Sequence, residues 1–230
     1  MTVIVRQTVR IAIDGPAAAG KSTVAKRVAD KMSFTYVDTG AMYRALTLKA
    51  IQADVPLNEE NKLMSLLSQT DISLIQEGTR QQILLDGIDA TLHIRADYVT
   101  NNVSTIAKLP RIREEMVKRQ RALAENNSVV MDGRDIGTYV LPNAEVKVFL
   151  NASVEERAKR RHAENVKKGF SSNIEQLKHD IKQRDLVDSN RSIAPLIKAE
   201  DAIEIDTTSL TISGVVQRIL KLVYNKVNGL

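Results

Sequence analysis

The eight residues Gly15-Pro16-Ala17-Ala18-Ala19-Gly20-Lys21-Ser22 fit the pattern G-x-x-x-x-G-K-[ST], and Thr23 follows them. Glycines at those positions let the backbone curl so that successive N–H groups point inward at phosphate oxygens. A helix starting near Lys21 adds the positive end of its dipole. Lys21 then sets a point charge against the β- and γ-phosphates, and the Ser22 hydroxyl can ligate Mg²⁺ that arrives with the nucleotide. At average residue usage the pattern arises by chance in roughly one chain of this length per hundred. The apolar run before it and the amphipathic run after it make chance a poorer account. The motif implies a nucleoside triphosphate; it leaves open what is done with it.

A second chemistry lies in the arginines. Asp38-Thr39-Gly40-Ala41-Met42-Tyr43-Arg44 follows an apolar run, with Thr39 as the expected helix N-cap and Arg44 about one turn in. Pro110-Arg111-Ile112-Arg113 opens a helix with proline suited to its first turn. Val129-Val130-Met131 delivers Asp132-Gly133-Arg134-Asp135, where an acidic residue can hold Mg²⁺ through water or fix an arginine. Arg184, Asp188 and Arg191 recur at helical spacing on one expected face. Each segment alone also reads as a solvated arginine, a simple turn or a salt-bridged helix surface. Several such segments are expected to converge on the same sheet edge, and arginine forks match phosphate geometry. A second phosphorylated substrate beside the first loop explains that arrangement better than a solvated surface does. Phosphoryl transfer between two nucleotides needs positioning, charge neutralisation and water exclusion rather than covalent help from the protein. The basic stretch Glu155 to Phe170, with Arg157, Lys159, Arg160, Arg161, Lys167 and Lys168, reads either as a solvated face or as a mobile lid over phosphates.

These residues need a scaffold, and the hydropathy pattern describes one. Val9 to Ile13, Phe34 to Val37, Val129 to Met131, Val146 to Leu150 and Ala202 to Ile205 read as strands. Val24, Val28 and Met32 share one helix face, and an amphipathic helix is expected from Gly40 to about Ala53. Ser153 and Glu156 suggest a capping box. A last helix from about Thr211 is expected to bury Ile212, Val215, Val216, Ile219, Leu220 and Val223. Strand–helix alternation of this kind gives an α/β fold: a parallel-sheet P-loop NTPase core wrapped by helices. Between residues 66 and 105 the alternation breaks into short strands around Glu77-Gly78-Thr79 and Asp86-Gly87, the mark of a small antiparallel β insertion. One domain is therefore expected, with its core at 9–65, 106–154 and 171–228, the insertion at 66–105 and a helical lid at 155–170.

Composition narrows the function classes. The 230 residues contain no cysteine or tryptophan, five tyrosines and three phenylalanines. Disulfide, thiolate-metal and redox chemistry are out, and a base-stacking platform for nucleic acid is hard to build. The short apolar run Val3-Ile4-Val5 is no signal peptide, and no stretch reaches the length of a membrane span. A cytoplasmic protein is expected. Lys and Arg exceed Asp and Glu by 33 to 28, a net charge of +5 that suits anionic partners.

With those motifs in hand, the chain resembles the bacterial cytidylate kinases, P-loop nucleoside monophosphate kinases, from Ile11 to about Ser209. The resemblance rests on residues 13–23, 38–44 and 132–135 and on the stretch from Arg184 to Arg191. It implies transfer of the ATP γ-phosphoryl group to CMP or dCMP, with Mg²⁺ as cofactor, in a monomer that keeps no nucleic acid or membrane partner. It implies ATP held by residues 15–23 and a β insertion over the monophosphate site. Ser104, Arg113 and Asp135 would read cytosine, the carboxylate accepting from its 4-amino group. Arg44, Arg134 and Arg191 would clamp the monophosphate near Thr39, and Arg184 with Asp188 would hold the sugar. Lys21 and the lid arginines Arg157 and Arg161 would be the catalytic cations. The rivals are a P-loop kinase for UMP, AMP or a small metabolite such as shikimate, and a nucleotide-binding switch or assembly ATPase. A guanine-reading Asn/Thr-Lys-x-Asp motif does not occur.

Overall fold

A computed structural model describes residues 8–77, 80–167, 169 and 171–227. The expected turn at Gly78-Thr79, the lid residues Lys168 and Phe170, the segment around Val3-Ile4-Val5 and residue 228 lie outside the described residues. The strands are β1 (Arg10–Asp14), β2 (Thr35–Asp38), β3 (Ile72–Glu77), β4 (Arg80–Leu85), β5 (Ile88–Asp89), β6 (Val129–Asp132), β7 (Val146–Asn151) and β8 (Ile203–Asp206). The helices are α1 (Lys21–Met32), α2 (Thr39–Gln52), α3 (Glu60–Ser68), α4 (Asp97–Thr100), α5 (Val103–Ala107), α6 (Pro110–Ala124), α7 (Val154–Lys167), α8 (Ile174–Ser189) and α9 (Ile212–Val227).

Five strands make one parallel sheet in the order β2-β6-β1-β7-β8, with β1 at its centre. Parallel neighbours require crossover connections, and these carry the helices onto both faces. Alternation along β1 sorts the faces. Ile11 and Ile13 join Val24 and Val28 of α1 and Val215 and Ile219 of α9 in one cluster. Ala12 points the other way, among Val117 of α6, Val37 and Met131. Burying a valine of this kind contributes about 1.5–3 kcal/mol. Of the residues expected to bury the last helix, Ile212 stays 43% exposed, because it sits in the first turn ahead of the sheet contact. Leu220 is only partly buried.

Three further local expectations change. Asp38, not Thr39, caps α2: its carboxylate accepts from Ala41 N at 2.9 Å, while the Thr39 hydroxyl donates to the Asp132 carbonyl at 2.7 Å. The helix it opens is buried around most of its circumference, since the insertion covers the side away from the sheet. The Ser153 box is half made. Ser153 Oγ accepts from Glu156 N at 3.2 Å, but Glu156 turns its carboxylate to Arg160 and Ser153 N–H goes to Thr208 Oγ1. The insertion holds a three-stranded antiparallel sheet, β3-β4-β5, and then turns helical through α4 and α5. Gln81 of β4 ties it to the core by donating to the Tyr36 carbonyl at 2.6 Å.

Candidate active site

Strand β1 ends at the carboxyl edge of the sheet and hands the chain to residues 15–20, which wrap the N-terminus of α1. Gly15 has φ +144°, and a Cβ there would lie 2.0 Å from the Leu150 carbonyl oxygen of β7. Only glycine allows the loop to pass so close to the neighbouring strand. Gly20 (φ +87°) is the N-cap of α1. Lys21 is buried and donates from Nζ to the Pro16 carbonyl at 2.7 Å. Burial, then the nearby Arg134, pull its pKa well below the ordinary lysine range. A phosphate beside it reverses that balance.

The hydroxyl of Ser22 donates to Asp132 Oδ2 at 2.8 Å, and the buried Tyr36 hydroxyl donates to Oδ1 at 2.7 Å. Burial, followed by the charge of Asp38, raises the Asp132 carboxyl to about 6. A serine hydroxyl and a carboxylate side by side at the loop are hard oxygen donors. This pair fits Mg²⁺ carried by nucleotide phosphates, with water completing the shell. Among the described residues no group of three or more His, Cys, Asp or Glu side chains could hold a metal ion.

On the other side of β6 the arginines converge. Arg134 donates from Nε to Asp188 Oδ2 at 2.9 Å, and Arg191 donates from Nε to the Asp188 carbonyl at 3.1 Å. Arg44 and Arg184 are held by burial against their charge, and their pKa values fall to about 10 and about 9. Arg134 and Arg44 press Arg184 further in that direction, and Arg161 lowers both Arg44 and Arg184 in the same way. Arginine nonetheless keeps its proton at neutral pH. Buried Nε of Arg44 and of Arg184 and one buried Nη of Arg191 have no hydrogen-bond partner among the described residues. Crowded cations with unsatisfied forks make a site built for a multiply charged anion.

Beside that ring lies a buried pair. Arg113, 1% exposed, donates to the Asp135 carboxylate and, at 2.7 Å, to the Ala107 carbonyl at the end of α5, while its guanidinium lies 5.6 Å from the Tyr43 ring. Asp135 is placed by its neighbours: Asp14 accepts from Ile136 N at 2.8 Å and Gly137 N at 2.7 Å. Burial raises the Asp14 carboxyl to about 7 even though both hydrogen bonds work the other way.

A family model described as "Cytidylate kinase" matches residues 11–225. The chain belongs to the cytidylate kinase family. The family's curated members include the cytidylate kinase of Geobacillus sp. (strain WCH70), 62% identical over 96% of this chain and 99% of that protein. The cytidylate kinase of Bacillus subtilis (strain 168) is 61% identical over 94% of this chain and 96% of its own length. Among solved structures, a gluconokinase from Sinorhizobium meliloti 1021 shares the fold at a TM-score of 0.50 and 11% identity, covering 96% of this chain and 94% of its own. That likeness concerns architecture alone.

The cytidylate kinase fold therefore brings together most residues expected from sequence. Gly15 to Thr23 form the loop and its helix start. Thr39, Arg44, Arg134, Asp135, Arg184, Asp188 and Arg191 meet around the carboxyl ends of β2 and β6. Arg191 does so from beyond the end of α8, which stops at Ser189, so helical spacing is not what places it. Ser104 lies on α5, the helix whose last carbonyl Arg113 holds. Arg157 is 5% exposed and spends its guanidinium on the Ala17 and Ala152 carbonyls and on Asp185. Arg161 faces the ring, pairing loosely with Glu164 at 3.4 Å. Tyr36, Asp14 and Asp185 carry no site signal in the sequence, and neither does the partner that Arg160 finds in Thr207, a bond lying next to Gly20. The sequence leaves open which acidic residue of Asp132-Gly133-Arg134-Asp135 approaches Mg²⁺; Asp132 is the one beside Ser22.

Proposed function

We propose that these residues divide the work of one reaction between two nucleotides. That reaction is transfer of the γ-phosphoryl group of ATP to CMP or dCMP, giving ADP and CDP or dCDP. Family membership over nearly the whole chain carries the reading, and the ring of buried arginines beside the phosphate loop supports it. Backbone N–H groups between Ala18 and Thr23, together with Lys21, take the ATP phosphates, while the Ala17 N–H is held by Asp185. Ser22 and Asp132 would hold Mg²⁺, which when bound would supply charge neutralisation to the phosphates. Arg44, Arg134 and Arg191 grip the acceptor phosphate, and Arg184 and Asp188 lie where the sugar follows. The attacking phosphate oxygen is already anionic, so no protein base is needed.

Asp135, held by Arg113, offers an acceptor to the cytosine 4-amino group. Uracil would present a carbonyl to that carboxylate and be repelled. Ser104 completes the base edge. Arg161 and the rest of α7 close over the transferring group and keep water out. We take a monomer as the working unit. No helix among the described residues is long and apolar enough to cross a membrane. A chain without cysteine suits the reducing cytoplasm, where we place the reaction.

The deciding experiment measures ADP release with Mg-ATP and each of CMP, dCMP, UMP and AMP. Turnover with CMP and dCMP at least about 10-fold above UMP is expected from one lost and one repulsive base contact. Equal or faster turnover with UMP would overturn Asp135 and Ser104 as base readers.

A further inference from the structure

Helix α8 presents two neighbouring side chains to two different parts of the site. Arg184 lies with the acceptor-side arginines and Asp188. The next residue, Asp185, reaches the phosphate loop: its Oδ1 accepts from Ala17 N at 3.3 Å and its Oδ2 from Arg157 Nη1 at 2.6 Å. That same Arg157 nitrogen also donates to the Ala17 carbonyl at 3.1 Å, and Nε donates to the Ala152 carbonyl at 3.0 Å. Both main-chain groups of Ala17 are thus bound by an ion pair bridging α7 and α8. Ala17 sits between the two glycines of the loop, where backbone orientation decides which N–H groups face phosphate.

We propose that Asp185 is a positioning residue for phosphoryl transfer, fixing the α7–α8 pair in register with the donor loop while its neighbour Arg184 meets the acceptor. The proposal rests on the kinase reading given above. The carboxylate is the part that matters. It touches the loop N–H and the Arg157 guanidinium at once, so it sets the loop and Arg157 relative to each other. Arg160, bound to Thr207 at 2.6 and 3.0 Å, gives α7 a separate anchor to the core. Loss of Asp185 therefore loosens the register without releasing α7 altogether. A small misplacement of reacting groups costs rate far more than it costs binding.

The test compares wild type with Asp185→Asn, Asp185→Ala, Arg157→Ala and the Asp185/Arg157 double alanine variant. Each is checked for folding by urea denaturation and then assayed with Mg-ATP and the acceptor that wild type uses best. Asp185→Asn, nearly isosteric, is expected to lower kcat about 10- to 100-fold with the acceptor KM changed less than about 3-fold. The double variant is expected to be no slower than Arg157→Ala, because the two side chains act as one unit. Three results would overturn the proposal: kcat of folded Asp185→Asn within about 2-fold of wild type, losses that multiply in the double variant, or a stability loss with unchanged rate. Each outcome is a ratio to wild type, so it stays separate from the question of which nucleotide wild type accepts.

Discussion

In the reaction we propose, the donor loop and the acceptor ring hold phosphate by opposite means. The donor side is one contiguous segment whose geometry comes from glycine and backbone N–H groups. Its polar groups have partners: Lys21 donates to the Pro16 carbonyl, Ser22 to Asp132 and the Ala17 N–H to Asp185. The acceptor side is assembled from α2, the end of β6, α8 and the turn after it. Its arginines are buried against one another with three polar atoms unsatisfied among the described residues. A backbone cradle recognises any polyphosphate, whereas side chains from separate elements recognise one size and edge of ligand. Tension is therefore stored where selectivity is needed.

The largest expected effect concerns Asp14, the joint between these regions, which ends β1 and holds the turn carrying Asp135. Its folded pKa of about 7 lies above the unfolded value, so the folded state binds the extra proton. The stability it contributes is complete below about pH 4 and is lost as pH rises to about 7. Urea denaturation across that range should show wild type losing on the order of 4 kcal/mol relative to Asp14→Asn. A flat difference would mean that the joint is not strained by its charge. On the donor side, Lys21→Ala should lower kcat about 1,000-fold, roughly 4 kcal/mol of transition-state stabilisation. Steady-state rates at saturating CMP check it, and a change confined to the ATP KM would break the contrast.

Next comes Asp188→Ala on the acceptor side. It removes the carboxylate that Arg134 and Arg191 share, so the ring should repel itself more strongly. The CMP KM should rise about 100-fold while direct calorimetry finds ATP affinity nearly unchanged, since truncating one partner of a buried charge pair costs about 2–5 kcal/mol. Lost ATP affinity would place Asp188 on the donor side. The smallest effect is expected for Asp135→Asn, which keeps the shape and turns one acceptor into a donor. The ratio of CMP to UMP turnover should fall about 10-fold. Competition between the two acceptors measures it.

Legibility from sequence followed the same divide. The loop could be read because its chemistry is local: residue spacing along the chain is the geometry. The parallel sheet could be read because its buried strands are short β-branched runs. The helix end at Ser189 and the cap at Asp38 escaped spacing arguments, since each depends on which side chain wins a hydrogen bond. Asp38 outcompetes Thr39 because its carboxylate reaches Ala41 N, while the threonine hydroxyl is claimed by a carbonyl 93 positions away.

The sequence by itself determined that a phosphate loop follows a buried strand, that arginines accumulate at strand ends, and that an antiparallel piece interrupts the α/β order. These follow from residue type, periodicity and the conformational demands of glycine. Only the tertiary structure decided which charges meet. It set Asp132 on Ser22 across 110 residues and Asp185 on Ala17 across 168, and it left Arg44 and Arg184 among cations. Pairing between distant charges is an outcome of packing, because burial decides which water a charge loses and distance decides what replaces it.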